Sequence, residues 1–324
     1  NIQVDERIQC LEQLYKDGLY NANEDDDEST INMAERYLDI VNNFPEEIKT
    51  EALPYFIDWL KYNVMLVEII AYSDENAYTI FETMNDRGLN LSPTEMLKGF
   101  LLSRFNDRNK RHKANEFWRK AMQELHVFDK DEDLRFFQAW LRGQYAESIR
   151  PGRADSKNED FEKIGTRFHS WVRDNLERLD LQNNDNGAYE DFINIKFKFF
   201  LTAYKRVLVA GQKFHDKLPH VYYIRHWGIA NSLSYPLLLA PLNINDNEED
   251  INTKINLVAR YIETFVVRRS VNFRKFASSS IRYTMYTLVK EIRNKNIPEL
   301  KSILLKKLSE MDETMEGVLN FRLH

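Results

Sequence analysis

Two short stretches hold the residue types best suited to chemistry. In the first, Glu82, Asn85 and Arg87 lie within six residues of one another and just before Gly88. A carboxylate, an amide and a guanidinium so close together offer hydrogen-bond acceptors and a bidentate donor, a set suited to facing a ligand. In the second, Arg268, Arg269, Arg274, Lys275 and Arg282 are interleaved with Phe273, Phe276 and Tyr283 and with the run Ser278-Ser279-Ser280. Cations neutralise phosphates, hydroxyls donate to them and aromatic rings stack on unpaired bases, so this segment is the candidate for nucleic-acid contact.

Each stretch also has a purely structural reading. Gly88 suits the left-handed end of one helix, while Ser92, Pro93 and Glu95 form the start of the next, with Ser92 as cap and Glu95 closing a capping box. That reading leaves Glu82, Asn85 and Arg87 unexplained. For the basic stretch, Phe265, Val266 and Phe273 would be core, and Arg268 and Arg269 would pair with the acidic N-terminal part of the chain. The other constellations carry less. Asp129 to Asp133 imitates the start of a calcium loop, but Leu134 stands where glycine is required and Trp140 where the closing carboxylate belongs. His215, His220 and His226 are five and six apart, which does not stack metal ligands on one helix face. Arg119 and His126 fit a helical-RNase spacing only at its loosest, with Lys120 where a small polar residue is preferred. No Gly-rich phosphate loop ending in Lys-Ser or Lys-Thr and no Gly-x-Ser-x-Gly elbow occurs.

The elements that would position these residues are mostly helices. Only 10 Gly and 8 Pro punctuate 324 residues, too few for a sheet-rich fold. With 43% hydrophobic and 30% charged residues the chain has the composition of a folded protein. Apolar spacing near 3.6 predicts a first helix through Ile8, Leu11, Leu14 and Tyr15. It predicts a second with Met33, Tyr37, Ile40 and Val41 inward, and a third with Leu53, Phe56, Ile57 and Leu60 inward. Long helical segments follow over 159–179, 188–211, 248–272 and 279–296, as in a bundle. Only 64–72 breaks the period: short and rich in β-branched residues, it reads as a strand that needs partners from elsewhere. Polar loops fall at 151–156, 183–187 and 242–250. The fold expected is mainly α, a multi-helix bundle-like domain over 107–324 beside a small α/β remnant over 1–106 containing one strand. That strand is expected to lie exposed or poorly paired.

Charge is distributed unevenly. The net charge is −6, but residues 1–51 carry fourteen acidic against four basic side chains, and 260–295 carry nine basic against two acidic. The single cysteine, Cys10, closes no intrachain disulfide and fits a reducing, cytoplasmic setting. No apolar run approaches the roughly 18 residues of a membrane span. The opening Asn1-Ile2-Gln3 has neither an initiator Met nor a signal-peptide core, which predicts a piece of a longer protein.

The run Phe81-Glu82-x-x-Asn85-x-x-Gly88-x-x-Leu91-Ser92, following 64–72, resembles the second motif of the ParB-like domain in GmrSD-type modification-dependent restriction enzymes. The ending Asn320-Phe321-Arg322-Leu323-His324 also looks like that family's approach to its nuclease domain. The resemblance implies a nucleotide site in which Glu82, Asn85 and Arg87 take part, an NTP with Mg as the parent protein's cofactor, and a helical middle region before an HNH-type nuclease. The family's first motif, Asp-Gly-Gln-Gln-Arg, is absent, and so is any His-Asn-His constellation. The expectation is therefore a non-catalytic fragment, the C-terminal part of the ParB-like domain plus the helical middle domain. It would bind nucleotide weakly or not at all by itself, contact DNA, and cooperate with an upstream nucleotide-binding segment and a downstream nuclease. The alternatives are a non-catalytic helical interaction module and a helical RNase.

Overall fold

Helical periodicity in the sequence becomes helix and connecting loop in the structure. The structure is a computed structural model and describes residues 5–22, 26, 28–65, 92–151, 156–181, 186–226, 228–275 and 277–311. It is mainly α, as expected. The candidate nucleotide residues Glu82, Asn85 and Arg87, the turn at Gly88 and the ending at 320–324 lie outside the described residues, as do 66–72 of the expected strand. Val64 and Met65, which are described, are both exposed, Met65 at 89%. The chain divides into two compact units, Asn1–Ala77 and Tyr78–His324.

The first unit contains α1 (Asp5–Asp17), α2 (Glu28–Asn43), the one-turn α3 (Glu46–Lys49) and α4 (Leu53–Asn63). Pro45 separates α2 from α3, and Glu46 and Glu47 occupy the first turn of α3, where the helix dipole favours negative charge. Its buried cluster is small: Cys10, Leu14, Tyr20 and Ala34, with Met33 and Tyr37 packed against it. The predicted stripes are only partly the buried ones. Ile40, Val41, Leu53, Ile57 and Leu60 are exposed, and α4 buries none of its residues.

The second unit begins with α5 (Pro93–Ser103), whose cap is the one the sequence predicts. Ser92 Oγ accepts from the Glu95 amide at 3.2 Å, and the Ser92 amide donates back to Glu95 Oε2 at 3.0 Å. After it come α6 (Arg108–His126), α7 (Glu132–Tyr145), α8 (Asp160–Asp174) and a continuous rod formed by α9 (Asn186–Asp191), a π-helical turn over Phe192–Phe197 and α10 (Lys198–Gln212). The unit continues through α11 (Pro219–His226), α12 (Asn231–Leu239), α13 (Glu248–Val271), α14 (Ser278–Ile292) and α15 (Ile297–Ser309). Leu97, Phe100, Leu101 and Phe105 are buried in the core of this unit. The division between compact units falls at Ala77/Tyr78.

Aromatic rings fill the centre of that core. Phe197 meets Trp118 at 4.9 Å, Phe136 at 5.6 Å and Trp140 at 6.1 Å between ring centroids. Such pairs add about 0.5–1.5 kcal/mol each to the area they bury. The π turn brings Phe192 and Phe197, five residues apart, to the same buried side. Helix α7 lies close against α12. A Cβ on Gly143 would stand 2.8 Å from the Pro236 carbonyl oxygen, so glycine is required there by the approach of the two backbones.

Charged groups are buried in the same unit, each with partners. Lys254 Nζ donates to Pro241 O at 3.0 Å and to both Asp246 oxygens at 2.8 and 2.7 Å. Asp160 accepts from the Trp171 indole at 2.9 Å, the Glu147 amide at 2.9 Å and Arg178 Nη1 at 2.6 Å. Burial alone would raise the Asp160 carboxyl, but these donors outweigh it and hold it below the usual carboxylate range. Helix α8 is broken at Arg167, with φ −141° and ψ 58°. Ahead of the break, the Gly165 carbonyl accepts from Gln138 Nε2 at 2.9 Å, a side chain inserted into the helix ladder.

Candidate nucleic-acid interface

The five predicted basic residues surround the join between α13 and α14, and the structure gives them two different jobs. Arg268 is half-buried and donates Nη1 to the carbonyl of Leu308 at 2.5 Å, in the last turn of α15. A guanidinium there meets one of the carbonyls that every helix end leaves without an intrahelical donor. Arg269 turns back on its own loop, donating Nε and Nη2 to the Lys275 carbonyl at 3.1 and 2.6 Å while its guanidinium lies 5.5 Å from the Phe265 ring centre. Arg282 faces α8, with Nη1 3.3 Å from Glu162 Oε1.

Arg274 and Lys275 are placed differently. Both are exposed, and neither side chain makes an ion pair among the described residues. The loop that carries them is stiffened from below. The Arg274 amide donates to Arg269 O at 2.8 Å, Asn272 Nδ2 donates to Arg268 O at 2.8 Å, and Ser280 Oγ donates to Lys275 O at 3.2 Å and Ala277 O at 2.8 Å. Phe273 sits at φ 55°, a left-handed conformation that costs a non-glycine residue about 1 kcal/mol or more. Its ring is 78% exposed, and Tyr283, one turn into α14, is 70% exposed. The join thus presents two cations, two exposed rings and the hydroxyls of Ser278 and Ser279 on a surface whose geometry is fixed by Arg269.

The other candidates are dispersed. His220 Nδ1 bonds Glu263 at 2.5 Å, His226 Nδ1 bonds the Tyr222 carbonyl at 2.8 Å, and His215 Nδ1 accepts from the Lys217 amide at 3.2 Å. The three rings thus turn to three different partners. His126 lies 3.4 Å from Asp133, across the turn that leads into α7, and Arg119 is two helical turns away from it along α6.

Sequence reasoning did not single out Arg142. It lies on α7, is 9% exposed and is buried against α8. Nε donates to the Phe161 carbonyl at 2.9 Å, and the guanidinium carbon stacks 4.0 Å above the Phe161 ring centre. Burial lowers its pKa to about 10, with Glu162 acting to raise it and Arg282 to lower it further. Nothing in its spacing marks it, because arginine at an inward helix position reads from sequence as one more exposed cation.

Residues 2–102 match the family described as GmrSD restriction endonuclease, N-terminal domain. No curated protein matches the chain, and no solved structure does.

Proposed function

Residues 2–102 belong to the family of GmrSD restriction endonuclease N-terminal domains, and from that premise we propose that the chain is the coupling part of a nucleotide-dependent, modification-sensing DNA endonuclease of phage restriction. In this reading an NTP with Mg binds the ParB-like N-terminal domain, with Glu82, Asn85 and Arg87 supplying part of the site and an upstream segment the rest. The helical region passes the bound state to a separate nuclease domain and holds DNA while it does so. The chain itself does not cut.

The observation that carries DNA contact is the loop of exposed cations and rings between α13 and α14. An acidic chain is repelled by DNA as a whole, so binding has to come from a local positive face. Arg274 and Lys275 supply charge that no carboxylate of the described chain neutralises by an ion pair. Phe273 and Tyr283 supply rings, and a ring is useful where bases are unpaired or displaced.

The division of labour among the arginines selects the test. Replacing Arg268 or Arg269 removes carbonyl contacts as well as charge, whereas Arg274→Ala with Lys275→Ala removes charge alone. That double variant is expected to bind duplex DNA more weakly regardless of sequence, with a log–log salt slope smaller by about 0.9 for each phosphate it no longer neutralises. Lys306→Ala with Lys307→Ala, the same charge change on α15, is the control. Mobility-shift titrations at several salt concentrations read both. Equal weakening in the two variants would remove this loop from the DNA-binding reading.

A second reading, a non-catalytic interaction module, is favoured by α4, where Tyr55, Trp59 and Tyr62 are exposed. It expects no DNA binding above the level of the control and no nucleotide binding when the upstream segment is restored.

A further inference from the structure

We propose that Arg142 and Arg282 form an oxyanion site for one phosphate group at the junction of α7, α8 and α14. The proposal deepens the DNA-contact reading and rests on it for its setting, but it stands on different residues from the exposed loop.

The first observation is an arginine that is nine-tenths buried and mostly unused. Of the five N–H donors of Arg142, only Nε–H has a hydrogen-bond partner, the Phe161 carbonyl. The four terminal N–H donors have none among the described residues. Neither Nη atom is among the fully enclosed polar atoms that lack a partner, so both keep solvent contact and are open to an anion. The stacking on Phe161 fixes the plane of the group, and the packing against α8 fixes its position. A Cβ at Gly165 would come within 2.0 Å of Nη2, so α8 carries at 165 a residue that makes room for the guanidinium.

The second observation is a shortage of negative charge. Arg282, on α14, reaches the same turn of α8 as Arg142: its Nη1 lies 3.3 Å from Glu162 Oε1, while Arg142 Nε bonds the neighbouring Phe161 carbonyl. Arg282 pairs with one carboxylate, Glu162, whose charge also acts on Arg142, and that carboxylate is already engaged. Its Oε2 accepts from the Arg150 amide at 2.8 Å and the Glu159 amide at 3.4 Å. Its Oε1 is buried, faces Arg282 at 3.3 Å and accepts no hydrogen bond. Two guanidinium groups sharing one carboxylate leave a net positive charge, and their planar forks match a tetrahedral oxyanion.

The third observation is location. Arg282 is one helical turn from Ser278, at the end of α14 that leads back into the exposed cationic loop. A phosphate held by Arg142 and Arg282 would therefore be near the face assigned to DNA. The same chemistry suits a backbone phosphate or a free phosphate group, and the arms of the test separate them.

The probe is inorganic phosphate, titrated into the full chain against sodium chloride of equal ionic strength, with melting temperature and calorimetry as readouts. Phosphate is expected to raise the melting temperature of the wild type above the chloride control. Arg282→Gln should abolish that difference. Arg142→Gln should do the same if it folds, and Arg282→Gln decides if it does not. Glu162→Gln is the sharper variant. A structural role for Glu162 predicts no gain in anion binding, whereas removal of a competing carboxylate should tighten phosphate several-fold. Equal responses to phosphate and chloride in the wild type, or no tightening in Glu162→Gln, would overturn the site. Mobility shifts with duplex DNA then identify the source. Weaker DNA binding in Arg282→Gln together with loss of the phosphate effect assigns a backbone phosphate, and unchanged DNA binding with that loss assigns a free one. If DNA binding fails in the wild type while phosphate still stabilises it, the DNA reading falls and the oxyanion site stands.

Discussion

The two compact units bury apolar surface in opposite ways. In Tyr78–His324 Trp118, Trp140, Phe136, Phe137 and Phe197 are buried together, while Phe273 and Tyr283 are exposed at the join of α13 and α14. Among the described residues of Asn1–Ala77 the buried apolar set is Cys10, Leu14, Tyr20 and Ala34, while Tyr15, Tyr55, Trp59, Tyr62 and Met65 are exposed. A fully buried large apolar side chain contributes about 1.5–3 kcal/mol, and an exposed one almost nothing. The larger unit thus holds its folding free energy in its own core, and the smaller unit carries much of its apolar surface where it stabilises nothing described. Helicity alone does not make a self-sufficient unit; the direction of its rings decides.

Removing α5 should break this contrast most severely. A chain beginning at Ser92 retains Leu97, Phe100, Leu101, Leu102 and Phe105, and one beginning at 107 loses all five. At roughly 2 kcal/mol each the loss is about 10 kcal/mol, comparable with the whole stability of an ordinary domain. Thermal melts followed by circular dichroism should show a cooperative transition for the first and none for the second. Equal melts would show that α5 is dispensable to the core.

A smaller loss is expected from Asp160→Asn, which leaves Arg178 without its carboxylate and weakens the acceptor of the Trp171 indole. The cost should be roughly 3 kcal/mol at neutral pH, read by urea unfolding. The pH dependence has a definite sign. The folded carboxyl titrates below its unfolded value, so its contribution is fully present above the unfolded pKa near 3.9 and is lost as pH falls through the lower, folded value. The variant should therefore converge on the wild type in acid; a difference constant down to pH 2 would exclude the carboxylate as its source.

The smallest effect belongs to the first unit. Trp59→Ser on α4 should change stability by no more than about 0.5 kcal/mol, because the ring it removes is exposed. A loss above 2 kcal/mol would show that the ring is covered in solution, and would sharpen the contrast into a statement about what covers it.

Local signals in the sequence were the most legible. The Ser92–Glu95 box, the break at Pro45 and the helices over 248–271 and 278–292 follow from short-range rules of capping and period, which need no knowledge of the rest of the fold. The phase of the first-unit helices was not legible. Ile40, Val41 and Leu60 have the right spacing for a buried stripe, but spacing says only that residues share a face, not that anything packs on it. The candidate site divided along the same line. That Arg274 and Lys275 are exposed cations is what a charged loop predicts. That Arg268 caps α15 and Arg269 folds onto Lys275 depends on contacts up to forty positions apart. Arg142 and Lys254 are buried through tertiary packing, which overrides what their residue type predicts.

The π-helical turn at Phe192–Phe197 has a consequence for how this lineage tolerates insertion and deletion. A π turn holds one residue more than an α turn in the same rod. Deleting a single residue within it would restore unbroken α-helix at no loss of backbone hydrogen bonds. The wider turn absorbs its extra residue locally, so the positions on either side keep the facing they would have in an α-helix one residue shorter. Phe192, Ile193 and Phe197 within the turn, and Phe200, Leu201, Tyr204 and Val207 after it, therefore all face the core with the odd residue present. Relatives of this chain should therefore tolerate the loss of one residue at this turn with the same core, whereas a one-residue change in the α-helical part of the rod would turn one end away from it.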